Sequence, residues 1–149
     1  MISKILVLSW QFVIFMFSAQ PAVESKSLSS GMTAAVVSFI FPNMSADQVA
    51  DVAEKLSFVV RKGAHFTIYL VLGVLMYNCI RRVIKITKPV LMSFVFCALY
   101  AVTDEIHQIF VDGRAGRIMD VCIDSAGSLF GIVLIWLAYK LYQKKAGKV

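Results

Sequence analysis

The stretch DEIHQIFVDGRAGRIMDVCIDSAGSLFG, residues 104–131, decides how the rest of the chain is read. It leaves one apolar segment, crosses a short Gly/Arg turn and enters another. Asp104, Glu105, His107 and Gln108 crowd one helical turn before the crossing, and Asp120 and Asp124 stand four apart beyond it. A charged group carried to mid-membrane depth costs up to roughly 3 kcal/mol, so it marks either a site or a structural pair.

Composition places this hairpin in a membrane. Of 149 residues, 59% are hydrophobic and 16% charged, with a mean hydropathy of +0.78. A water-soluble domain carries about 25% charged residues. The expectation is an all-α, polytopic membrane protein forming one domain over residues 1–149. The net charge of +6 is too scattered along too apolar a chain to suggest nucleic-acid binding. Cys79, Cys97 and Cys122 all fall in apolar segments. An odd number of thiols without CxxC or Cys/His spacing reads as buried packing residues rather than disulfides or metal ligands.

Outward from the hairpin, four spans are expected, at about residues 5–19, 62–80, 90–110 and 118–142. Lys4 followed by an apolar run also fits a signal peptide. Phe17-Ser18-Ala19 is a poor small-x-small cleavage site and Pro21 follows closely, so an uncleaved first span is preferred. Between the first two spans, residues 25–30 read as a polar loop. Residues 31–41 are apolar but too short to cross, hence interfacial or re-entrant. Ser45-Ala46-Asp47-Gln48 matches a capping box. Val49, Val52, Ala53, Leu56 and Val60 follow at helical spacing, giving an amphipathic surface helix ahead of the second span. Pro89 suits the first turn of the third.

Basic residues orient the chain. Lys4, Arg81, Arg82, Lys85, Lys88, Lys140, Lys144, Lys145 and Lys148 would share one side. They outnumber Lys26, Lys55, Arg61, Lys62, Arg114 and Arg117 on the other, which puts both termini in the cytoplasm. Ser18 and Gln20, then Arg61, Lys62, His65 and Tyr69, then the 104–131 hairpin, all converge at the outer end of the bundle.

On the third span, Asp104, His107 and Gln108 share a face, with Glu105 beside them. On the fourth, Arg117, Asp120, Asp124, Gly127 and Gly131 form one stripe, and Gly127-x-x-x-Gly131 allows close helix approach. A purely structural account has Arg61, Arg114 and Arg117 pairing with Asp104, Glu105, Asp120 and Asp124. Three chemical accounts stand beside it. Carboxylates with His65 or His107 could act as acid and base while arginines hold a phosphate or carboxylate. Asp104, Glu105, His107, Asp120 and Asp124 offer oxygen and imidazole ligands for a divalent cation, but without a tight motif, so no metal or other cofactor is expected. A proton or ion path is disfavoured because the polar residues stop halfway along each helix.

These residues resemble the VanZ-like membrane proteins. The resemblance is carried by Phe17-Ser18-Ala19-Gln20-Pro21 with Ser25 and Ser29, by Arg61-Lys62-x-x-His65-Phe66-x-x-Tyr69-x-x-Leu72-Gly73, and by Asp104-Glu105-x-x-Gln108-x-Phe110. Gly113-Arg114 and Asp120-Val121-x-x-Asp124-x-x-Gly127-x-x-x-Gly131 complete it. Asp112 departs from the family's usual Pro, and Asp124 stands where Asn is common. The family takes its name from a protein conferring low-level teicoplanin resistance, and most members have no established activity. The resemblance implies a bacterial plasma-membrane protein of the cell envelope. The resulting expectation is an outward-facing site for an anionic lipid or lipid-linked cell-wall precursor. Asp104, Glu105 and His65 are the candidate proton-transfer groups. Arg61, Lys62, Tyr69, His107, Gln108, Arg114, Arg117, Asp120, Asp124, Ser18 and Gln20 are the candidate binding groups. A non-enzymatic scaffold held by ion pairs is the alternative, and a small transporter the third.

Overall fold

A computed structural model describes residues 2–83 and 87–147. Lys85 and Lys148, which contribute to the expected charge bias, lie outside the described residues. The described chain is helical: α1 (Ile2–Ser18), α2 (Ala22–Ile40), α3 (Ala46–Val83), α4 (Pro89–Gln108) and α5 (Ile118–Lys145). α3, α4 and α5 are each long and apolar enough to cross a membrane. α1 and α2 meet that test only together, as a pair bent by 100° at a short break, either one broken span or a re-entrant loop. The chain is thus a multi-pass membrane protein with three clear spans, and the expected first span stands as half of this bent pair.

The break follows from Pro21, whose extended backbone (φ −53°, ψ 149°) cannot continue α1 but suits the start of α2. Residues 25–30, expected as a loop, instead belong to α2. Their hydroxyls are satisfied inside the helix: Ser29 donates to the Ser25 carbonyl at 2.8 Å and Ser30 to that of Ser27 at 3.1 Å. Thr33 does the same to Ser29 at 2.7 Å. Serines that read as loop formers in sequence can back-bond in this way once a helix is held by packing. Thr33 and Val37 of α2 are buried, as are Val49, Ala53 and Ser57 of α3, the helix it packs against.

The capping box forms as expected: the Ser45 N–H donates to Gln48 Oε1 at 3.0 Å, and the Gln48 N–H to Ser45 Oγ at 3.4 Å. The helix it starts does not stop before the membrane, however. The expected surface helix and second span are one continuous α3 of 38 residues. At 1.5 Å per residue that is about 57 Å, well beyond a hydrocarbon core of about 30 Å. Nothing between Val60 and Lys62 breaks it, since no Pro occurs there and Gly63 is tolerated within a helix.

α5 lies close against α3 because small residues face each other. A Cβ on Gly127 would stand 2.3 Å from the Phe66 carbonyl oxygen, and one on Gly131 would stand 2.1 Å from that of Leu70. From the other side, a Cβ on Gly73 would come within 2.2 Å of the Ser128 carbonyl oxygen. The expected close approach is borne out at both α5 glycines, and Gly131 acts through packing. Val7, Ile14, Tyr69, Leu72, Met76, Ile80, Cys97 and Ala101 make the core. α1 is tied to it by Trp10 Nε1, which donates to the Ile68 carbonyl at 2.8 Å, and by Tyr100, which donates to the Gln11 carbonyl at 2.7 Å. All three thiols are free. Cys97 is buried as expected, but Cys122 is exposed on the outer face of α5.

Gly127→Ala is expected to lower the unfolding free energy by about 1–3 kcal/mol, the usual cost of overpacking. Gly63→Ala, which would meet no atom within 4 Å, is expected to be neutral or to stabilise by up to about 1 kcal/mol through helix propensity. Thermal unfolding of both variants in detergent checks the contrast.

Candidate polar site at the hairpin end

The turn after α4 is shaped by Gly113, whose φ of +70° lies in the left-handed region that other residues avoid. Beyond it, Arg117 is extended and precedes α5 without a side-chain cap of its own. The cap comes from α4 instead: the Arg117 backbone N–H donates to Glu105 Oε2 at 2.8 Å. Glu105 therefore pins the start of α5 to the end of α4, and a carboxylate at a helix N-terminus also complements its dipole.

Gln108 links the neighbouring groups. Its Nε2 donates to Asp104 Oδ2 at 3.3 Å and to Glu105 Oε1 at 3.2 Å. Its Oε1 accepts from Arg114 Nη1 at 3.1 Å. Arg114 in turn donates from Nε to the Gln20 carbonyl at 2.8 Å and from Nη2 to the Phe17 carbonyl at 3.4 Å. One guanidinium thus donates to two carbonyls at and just beyond the end of α1 and holds the α1–α2 break against the hairpin. Burial, then the nearby Arg61 cation, pull the Arg114 guanidinium below its ordinary range, while Asp104, Glu105 and Asp120 oppose this.

The ion pairs run between α3 and α5. Lys62 Nζ pairs with Asp120, and His65 Nδ1 lies 3.5 Å from Asp124 Oδ1. The expected arginine–carboxylate pairs do not form: among the described residues no arginine side chain is ion-paired with Asp or Glu. The spacing explains why. Lys62 and His65 lie on the α3 face that meets α5, whereas Arg114 is drawn to the Phe17 and Gln20 carbonyls at the α1–α2 break.

Two cavities adjoin at this end. The first, about 230 Å³, is polar and is lined by Arg61, Lys62, Arg114, Arg117 and Asp120. The second, about 250 Å³, is walled by Ile14, Phe17, Leu28, Met32 and Ile68, with Ser18 and Asp104 at its polar end. Arg61, His65 and Arg114 line both. Ser18, Gln20, Arg61, Lys62, His65, Asp104, Gln108, Arg114, Arg117 and Asp120 are therefore brought to the cavities. Tyr69, Glu105 and Asp124 sit behind them, fully buried or nearly so. His107 goes elsewhere: its ring lies on Phe15 of α1, with centroids 4.6 Å apart. The apolar wall from α2 was missed because Leu28 falls in the stretch read as a polar loop and Met32 in the one read as interfacial or re-entrant, although the two stand at helical spacing. Asp104, Glu105 and Asp124 bring carboxylate oxygens within 4.8 Å of one another, a grouping that could hold a metal ion. Neither His107 nor Asp120 belongs to it.

A double-mutant cycle on Lys62→Met and Asp120→Asn is expected to give a coupling of about 0.5–3 kcal/mol, as for residues in direct contact. The same cycle on Arg117→Gln and Asp120→Asn should give none beyond error. Equal couplings would overturn the pairing.

The family model described as VanZ/LLP1 matches residues 4–139. Comparison with characterised proteins and with solved structures gives no match. The matched span contains α2–α4, the hairpin and every site residue named above. The chain belongs to the VanZ/LLP1 family.

Proposed function

We propose that this protein binds the anionic head of a lipid or lipid-linked envelope component, such as a cell-wall precursor, and so contributes to glycopeptide tolerance. In this reading the hairpin end faces outward from the bacterial plasma membrane and both termini are cytoplasmic, following the bias of basic residues. The observation that carries it is the adjoining pair of cavities, one cationic and one apolar, which share Arg61, His65 and Arg114. A free anion needs only the first; a molecule with a charged head and a hydrocarbon chain uses both. At about 250 Å³ the apolar slot is smaller than an ordinary ligand pocket of about 300–1,000 Å³. It suits the head-proximal part of a chain whose remainder lies in the bilayer.

Roles divide by what each group is already doing. Lys62 is neutralised by Asp120, and Arg114 is occupied with carbonyls and Gln108. Arg61 and Arg117 hold the anion, by the charge-assisted, bidentate contacts that guanidinium makes with phosphate. His65 and Asp104, which open onto the cavities, carry any proton transfer on the bound head. Glu105 keeps the turn in shape.

A non-enzymatic scaffold is the second reading, favoured by the Lys62–Asp120 and His65–Asp124 contacts that join α3 to α5. A transport path is disfavoured by the apolar core below the site, where Leu72, Met76, Ile80 and Ala101 are buried.

Binding of a lipid-linked cell-wall precursor to the purified protein in nanodiscs tests the proposal. Arg61→Gln and Arg117→Gln are each expected to weaken it by about tenfold or more, the 1.4 kcal/mol equivalent of one charge-assisted contact. Arg82→Gln, exposed at the far end of α3, should leave it unchanged. In cells, Asp104→Asn combined with Glu105→Gln should remove glycopeptide tolerance at normal protein levels. Unchanged precursor binding in both arginine variants would sink the proposal.

A further inference from the structure

We infer that Asp104, Glu105 and Asp124 form a binding site for one divalent cation with oxygen ligands, behind the two cavities. The three side chains come from α4 and α5 and are 4%, 4% and 0% exposed. Their carboxylate oxygens fall within 4.8 Å of one another. Oxygens bound to a single ion are separated by at most twice the bond length, about 4.2 Å for Mg²⁺ and up to about 5.2 Å for Ca²⁺. A spread of up to 4.8 Å fits within the Ca²⁺ limit, and a contraction of about half an ångström brings it within the Mg²⁺ one.

Charge leads to the same place. Three buried carboxylates face one fixed cation, Arg114 beside Gln108, and His65 beside Asp124, which carries charge only when protonated. Arg114 spends its donors on carbonyls and the Gln108 amide rather than on any carboxylate. Buried charge without a counter-charge is strongly unfavourable, whereas a divalent ion neutralises two carboxylates at once.

A second observation is independent of the acidic cluster. The Tyr69 hydroxyl, on a fully buried side chain, and the Ser18 hydroxyl, 3% exposed, have no hydrogen-bond partner among the described residues. Both face the Asp104 carboxylate without reaching hydrogen-bonding geometry, and Tyr69 is also close to Asp124. Neither oxygen of Asp124 accepts a hydrogen bond, Oδ1 having only the 3.5 Å contact to His65 Nδ1. Buried polar atoms are nearly always satisfied, so several converging on one point from α1, α3 and α5 mark a position for a ligand that accepts oxygen lone pairs. With carboxylates and hydroxyls supplying the donors, the ion is a hard one: Mg²⁺, Mn²⁺ or Ca²⁺ rather than a thiophilic metal. Glu105 Oε2 is held by the Arg117 N–H, so the ion would connect to the α5 start through an already fixed ligand.

This inference shares Asp104 with the anionic-lipid reading, where a bound ion would leave proton transfer to His65, but its test is separate, because the ion can be titrated with no lipid ligand added. The full chain is purified in detergent, stripped with EDTA and titrated with Mn²⁺ while the free-ion signal is followed by electron paramagnetic resonance. Mg²⁺ and Ca²⁺ are then used as competitors and, separately, in thermal unfolding. The expected result is one ion per chain and a raised Tm with at least one of the three ions. Asp124→Asn is expected to weaken binding at least tenfold, and Asp51→Asn, an exposed partner of Lys55, to leave it unchanged. Should Asp124→Asn fail to fold, Glu105→Gln is read in the same titration. Absence of saturable binding of all three ions to the wild-type chain overturns the inference, as does wild-type binding in the carboxylate variant.

Discussion

Close approach of α3 and α5 is the constraint on which the site depends. Gly73, Gly127 and Gly131 place backbone against backbone, at separations where a single methyl group would meet a carbonyl oxygen. In lipid, helices gain little by burying apolar side chains, because the solvent is as apolar as they are; small residues allow the contacts that hold them together. The same approach carries Asp120 to Lys62 and Asp124 to His65. Were the helices a normal distance apart, these pairs would be separated and the polar end would open.

Charge at that end is sorted by depth. The carboxylates Asp104, Glu105 and Asp124 lie inside, and Arg61, Arg114 and Arg117 line the polar cavity. A bundle stabilised only by ion pairs would interleave the two signs. Here the arginines are directed towards open space or towards α1 carbonyls, leaving a cationic surface in front of an anionic interior. That separation is the feature from which both proposals start: an anion on the arginine side and a cation among the carboxylates.

The hairpin's contents were legible at the level of faces. Helical spacing placed Asp104 and Gln108 together and aligned Asp120, Asp124, Gly127 and Gly131 in one stripe, and the capping box at Ser45 marked where α3 begins. Partners were not legible. That Asp120 takes Lys62 rather than an arginine, and that Arg114 turns to Gln20 and Phe17, depends on which α3 and α1 faces the hairpin meets. His107 shows the same limit: it shares a face with Asp104 by spacing, yet its ring lies on Phe15. Helical periodicity reports a direction around one axis and says nothing about what occupies the neighbouring axis.

Residues 22–40 show this most plainly. Within them, the serines of residues 25–30 read as loop because, in isolation, their hydroxyls compete with the backbone for hydrogen bonds, and residues 31–41 read as a separate interfacial or re-entrant piece. Packed on α3, the segment becomes a helix and supplies Leu28 and Met32 as the wall of the apolar cavity. Hydropathy and charge, which are additive along the chain, determined by themselves that this is a helical membrane protein with a polar end built on residues 104–131. The tertiary structure alone decided that α1 and α2 form a bent pair, that the end contains two adjoining cavities, and which side chains meet there. Those features arise from contacts between distant segments, and such contacts have no counterpart in local sequence.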